Sequence, residues 1–386
     1  MSSPAAKVGD RAARTAVTAT FVCNGLLLST FIARIPALRA ALEIREGTLG
    51  LLLGGFTAGI IVGLITAGRV VGRTGSRRLT FAGAAIALLA LPAVGFAPNI
   101  LTLAIVLPIF GAGTSSMDVG MNAQAVGVQR GYSRSILVAF HGLWSIGTLS
   151  GALIGSQTIS LGVASGWHMG AIAILVAVVV MVSSPWLRMQ DRTSAGTRST
   201  FAWPSGVLFP LALVALAATL GETAAGDWSG VYLDETVQVP DHQVGWGYVA
   251  FTAAMTASRL VGDAVVRRVG AAITVQLGGM LGGLGFLLTA LLPTLPTTLI
   301  GFTFVGLGLG STVPLLFGAA GRVSRTPGAG VAAISSFGYI AGLLGPPLIG
   351  GLADATNLRF SLAFVGVAVI ALTVRRPPAL SQGSSA

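Results

Sequence analysis

The chain of 386 residues is 53% hydrophobic and 9% charged, with a mean hydropathy of +0.84 and a net charge of +11. A water-facing globular protein carries about 25% charged residues, so this composition excludes a soluble enzyme and a soluble nucleic-acid binder. The single cysteine, Cys23, excludes a disulfide within the chain and a cysteine metal site.

Residues 1–15 are polar and basic and lead into an apolar run that ends at Arg34-Ile35-Pro36. No small-residue cleavage site follows, so the run reads as a retained span rather than a signal peptide. With about 20 apolar residues needed per crossing, the pattern predicts twelve spans. They lie near 14–35, 48–69, 79–97, 101–128, 136–160, 168–187, 206–232, 244–266, 272–292, 297–321, 329–350 and 358–374. The loops between them are mostly short, as antiparallel helix neighbours allow. The longest polar stretch, 188–205, is rich in Ser, Thr and Arg and reads as a linker between two bundles, 1–187 and 206–386. The expected fold is an all-α membrane protein, two pseudo-symmetric bundles of six helices.

Basic residues set the orientation. With a cytoplasmic N-terminus, nineteen Lys and Arg fall on the cytoplasmic side and four, Arg34, Arg39, Arg45 and Arg359, on the other. This is a positive-inside asymmetry, and the even span count puts both termini inside. The expected location is a bacterial inner membrane, the expected state a monomer.

A repeat runs at a constant offset of 195 residues. Arg73 and Gly75 match Arg268 and Gly270, Gly111 and Gly113 match Gly306 and Gly308, and Leu153-Ile154-Gly155 matches Leu348-Ile349-Gly350. Parallel six-helix halves are a transporter architecture with the solute site near mid-membrane. Glycine, 54 residues, is about twice its usual share of roughly 7%. The strips Gly55, Gly59, Gly63 and Gly147, Gly151, Gly155 are expected to bring helices close, and Pro346-Pro347 to bend the eleventh span.

The segment Gly68-Arg69-Val70-Val71-Gly72-Arg73-Thr74-Gly75-Ser76-Arg77-Arg78 resembles the loop motif of the major facilitator superfamily. The motif recurs around Gly262-Asp263 to Arg267-Arg268-Val269-Gly270. The family usually has an acid where this chain has Gly72; by analogy Asp263 is its counterpart in the second half. The resemblance implies a gating loop built from Arg69, Arg73, Arg77, Asp263, Arg267 and Arg268. In the fourth span, Ser116-Met117-Asp118-Val119-Gly120-Met121-Asn122 looks like the fourth span of fucose-permease-type sugar/proton symporters. Gly221-Glu222-Thr223-Ala224-Ala225-Gly226-Asp227-Trp228 is similar to the seventh span of an uncharacterised bacterial inner-membrane branch near those permeases.

Ionisable residues inside spans are expensive and so are functional candidates. Asp118 lies deep in the fourth span, and Asn122 is one helical turn on, on the same face. Together they offer a proton site and a neutral hydrogen-bonding partner for a polar solute. The offset places Val313 and Phe317 at the matching positions, so fold maintenance alone does not demand the pair. His141, in the fifth span, titrates near neutrality and is placed to exchange a proton with Asp118; Trp144 and Ser145 follow on its face. Glu222, between Gly221 and Gly226, is the acid of a weakened seventh span. Asp227 and Trp228 are expected near the outer mouth, and Asn24 in the first span is a further hydrogen-bonding candidate. Proton coupling is therefore assigned to Asp118, Glu222 and His141, and solute binding to Asn24, Asn122, Trp144, Ser145, Asp227 and Trp228.

No cofactor is expected. His141, His168 and His242 show no metal-ligand spacing, and the chain has no phosphate-binding loop for an ATP-driven pump. The reading is a secondary transporter that moves a small polar solute, a sugar or related metabolite, with protons by alternating access. The rivals are a proton/drug antiporter, whose cavity Trp144, Trp228 and Phe317 would line, and a membrane enzyme or receptor without transport.

Overall fold

The computed structural model describes residues 4–132, 136–187, 203–324, 327–374 and 380. Most of the expected linker, 188–202, lies outside them. Among the described residues the structure is helical, with no strand. In chain order the α-helices are α1 (Pro4–Ala33), α2 (Ile35–Ala41), α3 (Glu46–Thr74), α4 (Ser76–Gly95), α5 (Ile100–Gln129), α6 (Leu137–Ser160), α7 (Ser165–Ser183), α8 (Leu208–Tyr232), α9 (Asp241–Val244), α10 (Trp246–Val269), α11 (Ala271–Leu291), α12 (Leu295–Leu309), α13 (Thr312–Val323), α14 (Pro327–Ala355) and α15 (Leu358–Thr373). Ten continuous helical stretches are long and apolar enough to cross a membrane, α12 and α13 counting as one of them. With α6 (24 residues) and the shorter apolar α15 (16 residues), they give twelve.

The boundaries differ from the sequence reading in two places. The turn after the first span carries α2. Span ten, expected to run unbroken over 297–321, is interrupted between α12 and α13 at Gly310-Ser311. Pro346 and Pro347 lie inside α14, which continues through them. The starts of α5 and α15 are fixed by asparagine caps. Asn99 Oδ1 accepts from Thr102 N, and Asn357 Oδ1 from Phe360 N, each at 2.9 Å.

The chain divides into two compact units. The first holds α1 and, from Gly55 onward, the rest of α3 with α4 to α7. There α1 packs on α6 and α7, and α4 on α5 and α7. The second holds Ile35–Gly54 together with α8 to α15, where α8 packs on α14 and α15, and α11 on α12 and α15. Each pairing in one unit has its counterpart in the other.

The repeat extends to atomic contacts. A Cβ on Gly111 would run into the carbonyl of Phe56, and one on Gly306 into the carbonyl of Phe251; residues 56 and 251 stand at the same offset as the glycines. Gly83 and Gly278 press on the carbonyls of Gly113 and Gly308. Gly75 and Gly270, which begin α4 and α11, have φ of 85° and 82°, where a side chain is strained. The glycine strips do bring helices close. Gly59 and Gly63 lie against Pro108 and Ala112 of α5, and Gly147, Gly151 and Gly155 against Val22, Leu26 and Ala33 of α1. Gly55 makes only an ordinary contact, at 3.7 Å, with Pro108.

Ile35–Gly54 precedes the linker by more than a hundred residues yet packs with the second unit, where the sequence reading had it in the first bundle. The reason lies in small surfaces and charges. Gly50 and Gly54 sit against Pro346 and Pro347, and Pro36 sits against Gly230. Arg39 reaches Glu46 at 3.0 Å and also pairs with Glu235, while Arg45 lies 3.9 Å from Asp354. Arg39→Ala is expected to raise amide hydrogen exchange over Ile35–Ile44 by roughly tenfold, the size of one lost charged hydrogen bond, and to leave α4–α7 unchanged. Hydrogen-exchange mass spectrometry reads both.

One cation assigned to a span end lies elsewhere, and another is not at the surface. Arg259 lies well inside α10. Arg34, at the end of α1, is 2% exposed, and its Nε donates to Nδ1 of buried His168 at 3.0 Å.

Candidate functional site

Each unit carries its own polar constellation. In the first, Asn122 Nδ2 donates to Asp118 Oδ1 at 3.0 Å and to the Asp118 carbonyl at 2.9 Å. The helical turn between them sets this geometry, and both side chains are half-buried on α5. Among the described residues no cation pairs with Asp118; its side-chain partner is a neutral amide.

Asn24, 5% exposed, ties three helices together. Its Nδ2 donates to the Thr114 carbonyl on α5, and its Oδ1 accepts from Trp144 Nε1 on α6, each at 3.0 Å. Both ends of this amide are thus engaged within the protein, which makes Asn24 a tie that positions Trp144. Ser145 is buried and donates to the His141 carbonyl at 3.3 Å. The His141 ring is exposed and stands edge-on to Phe21, centroids 5.4 Å apart.

In the second unit Glu222, half-buried on α8, lies 3.8 Å (Oε2) from Arg259 Nη2 on α10. Arg259 Nε donates to the Gly310 carbonyl at 3.1 Å, one of the carbonyls that the break in span ten releases from helical bonding. Ser258 and Ser311 close the same break. Ser258 Oγ donates to the Leu307 carbonyl at 2.8 Å and Ser311 Oγ to the Ser258 carbonyl at 3.0 Å. Glu222 Oε1 is buried with no hydrogen-bond partner among the described residues.

Asp227 is half-buried on α8. Trp228 is fully buried, its ring against Gly350 of α14, so it faces a neighbouring helix and not an outer mouth. The motif residues gather at helix ends. Arg69 and Arg73 are exposed on the last turns of α3, and Arg77 is half-buried over the Phe81 ring at 5.8 Å. Asp263, Arg267 and Arg268 are exposed toward the end of α10. Among the described residues Asp263 makes no ion pair with these arginines.

The sequence reading brought Asp118 to Asn122 and Trp144 to the same unit, but it missed Arg259, Ser258 and Ser311. A signal for Arg259 was present: it stands two turns inside the expected span 244–266, too deep for a loop cation.

No family model matches the chain. An uncharacterized transporter y4wD of Sinorhizobium fredii is 33% identical over 366 residues, covering 94% of this chain and 96% of the relative. An uncharacterized MFS-type transporter of Yersinia pestis is 30% identical over 355 residues, covering 92% of each chain. Membrane protein MosC of Rhizobium meliloti is 31% identical over 376 residues, covering 95% of this chain and 90% of the relative. Among solved structures, a point mutant of the nucleoside transporter NupG superposes with a TM-score of 0.75 at 12% identity, over 94% of this chain and 98% of that one.

Proposed function

Since the chain belongs to the major facilitator superfamily of transporters, we propose that it moves a small polar solute, a sugar or related metabolite, together with protons. Two six-helix bundles, 1–187 and 206–386, expose the solute site alternately to each side. The protein acts as a monomer in a bacterial inner membrane, with both termini in the cytoplasm; the positive-inside asymmetry supports this orientation even with Arg259 removed from the tally.

One observation carries the coupling: a carboxyl group within a membrane-crossing helix, Asp118, whose side-chain partner is the neutral amide of Asn122. A carboxylate with a cationic partner keeps its charge balanced in every state. One facing an amide changes the charge of its surroundings each time a proton binds. Protonation removes a charge that is expensive within the membrane, and the conformation that tolerates the neutral form gains population. His141 and Glu222 serve as further proton carriers, and Asn122 with Trp144 as solute contacts.

The test is reconstitution in liposomes under an imposed proton gradient, with a panel of labelled sugars and related metabolites. The parent is expected to accumulate its solute against a concentration difference. Asp118→Asn, which keeps size and hydrogen bonding, is expected to equilibrate the solute without concentrating it. If the variant still concentrates solute as steeply as the parent, Asp118 is not the coupling site. The antiport reading has Trp144, Trp228 and Phe317 lining the cavity; Trp228 is fully buried, which weighs against it, and expression is expected to leave drug tolerance unchanged.

A further inference from the structure

Arg34, at the end of α1, is a buried cation with a neutral partner. It is 2% exposed, and its Nε donates to His168 Nδ1 at 3.0 Å. A ring nitrogen that accepts a hydrogen bond carries no proton, so this imidazole is uncharged and its one N–H is at Nε2. Two buried groups are then left without a partner among the described residues, Arg34 Nη2 and His168 Nε2. The positive charge is left without a counter-charge as well, since no carboxylate among the described residues pairs with Arg34. The acids of the first unit are all remote from it. Asp10 is near the opposite end of α1, roughly 36 Å away along the helix. Phe31 packs on Phe110 and Asn24 bonds to Thr114, so α5 runs antiparallel to α1 and places Asp118 roughly 20 Å from Arg34 along the bundle. Asp191 follows the far end of α7 and lies outside the described residues. Of the helices packed beside α1, α6 carries only His141 as a titratable group, α7 only His168, and α4 opens with Arg77 and Arg78.

We propose that a halide ion of the chloride class is the missing counter-charge, bound to Arg34 Nη2–H with His168 Nε2–H as a second donor. An unpaired charge inside a protein is expensive. A buried water would satisfy the two N–H groups, but it would leave the charge unbalanced. The setting suits a monatomic ion. Gly155 gives α6 no side chain at this level, and a Cβ there would already run into Ala33 and come within 3.8 Å of His168 Cε1. A carboxylate or phosphate, with its substituents, would have to enter between residues that are 2% and 3% exposed. With the ion bound, the site holds one guanidinium, one halide and a neutral imidazole. The ion then joins the first turn of α7 to the end of α1 as a structural ligand of the first unit.

The test compares the purified full chain in sodium gluconate with the same chain in sodium chloride or bromide at equal ionic strength. Thermal unfolding is one readout, and the chloride-35 NMR linewidth reports binding independently of stability. The parent is expected to gain thermal stability with halide, first rising with concentration as mass action requires, and to broaden the chloride line. Arg34→Gln keeps a donor for His168 Nδ1 and removes the charge. The double variant Arg34→Leu, His168→Leu removes both groups. Each is expected to weaken halide binding by roughly tenfold or more, the size of a charged hydrogen bond, and to lose the matching part of the line broadening. General salt effects on burial act on parent and variants alike, so the difference between them is the measure. Should the double variant fail to fold, Arg34→Gln decides. A parent that melts identically in gluconate and chloride and does not broaden the line overturns the proposal; water then fills the site. A halide response that Arg34→Gln keeps in full overturns it too, because the ion is then bound elsewhere.

Discussion

Gly111→Leu and Gly306→Leu are each expected to cut the yield of folded protein sharply. In both places the first atom of the new side chain would enter the space of a backbone carbonyl, that of Phe56 or Phe251. A flexible side chain could swing away, but a carbonyl in the middle of a facing helix cannot move without moving the helix. Overpacking in a core typically costs about 1–3 kcal/mol, and a leucine at a backbone-to-backbone contact belongs at or beyond the upper end. Against a total stability of about 5–15 kcal/mol, that is a large fraction, expected to reduce sharply the monodisperse peak in fluorescence-detected size-exclusion chromatography. Gly351→Leu is the control, because a Cβ there meets nothing within 4 Å. The paired outcome also tests the repeat: the two variants fail together if equivalent contacts hold the two units. Survival of Gly306→Leu at the level of Gly351→Leu would show that α10 and α12 do not pack as described.

The second large effect concerns His168. Its Nδ1 accepts from Arg34 Nε at 3.0 Å, and both residues are all but fully buried, at 3% and 2% exposure. His168→Ala removes that acceptor and leaves a guanidinium enclosed by α1 and α7. Leaving a buried charged donor without its neutral acceptor costs about 1.5–3 kcal/mol, so the expected result is a fall in thermal stability in detergent. The double variant Arg34→Leu, His168→Leu is expected to recover most of the loss or to exceed the parent. Arg34 Nη2 and His168 Nε2 already lack hydrogen-bond partners among the described residues, so an apolar replacement leaves no polar atom stranded. A double variant as unstable as His168→Ala would show that the cation itself is required.

How much of this was readable beforehand follows from what each feature depends on. Spans depend on composition over about 20 residues, and all twelve were legible. The offset of 195 was legible in a handful of glycines, because a glycine at a helix crossing tolerates no substitute. The pairing of Asp118 with Asn122 was legible because helical spacing alone brings them together. Features set by the rotation of one helix against another were not. Arg34 and His168 are 134 residues apart, and nothing local to either announces the other. The engagement of both ends of Asn24 was hidden for the same reason. Trp228 is expected from sequence near the outer mouth, yet Gly350 on α14 makes room for its ring. The break in span ten left a trace, the run Gly306, Gly308, Gly310 ahead of Pro314; hydropathy averages over such interruptions and cannot register them.

The division of α3 has one more consequence. Up to Gly54 the helix leans on the prolines of α14, and from Gly55 it follows α5. No loop separates the two stretches: one unbroken helix changes its packing partners midway. Adjacent glycines, each about 1 kcal/mol weaker than alanine in a helix, stand where the partners change. The rod is therefore intrinsically softest at Gly54-Gly55, and alanines there would stiffen it without touching any polar group.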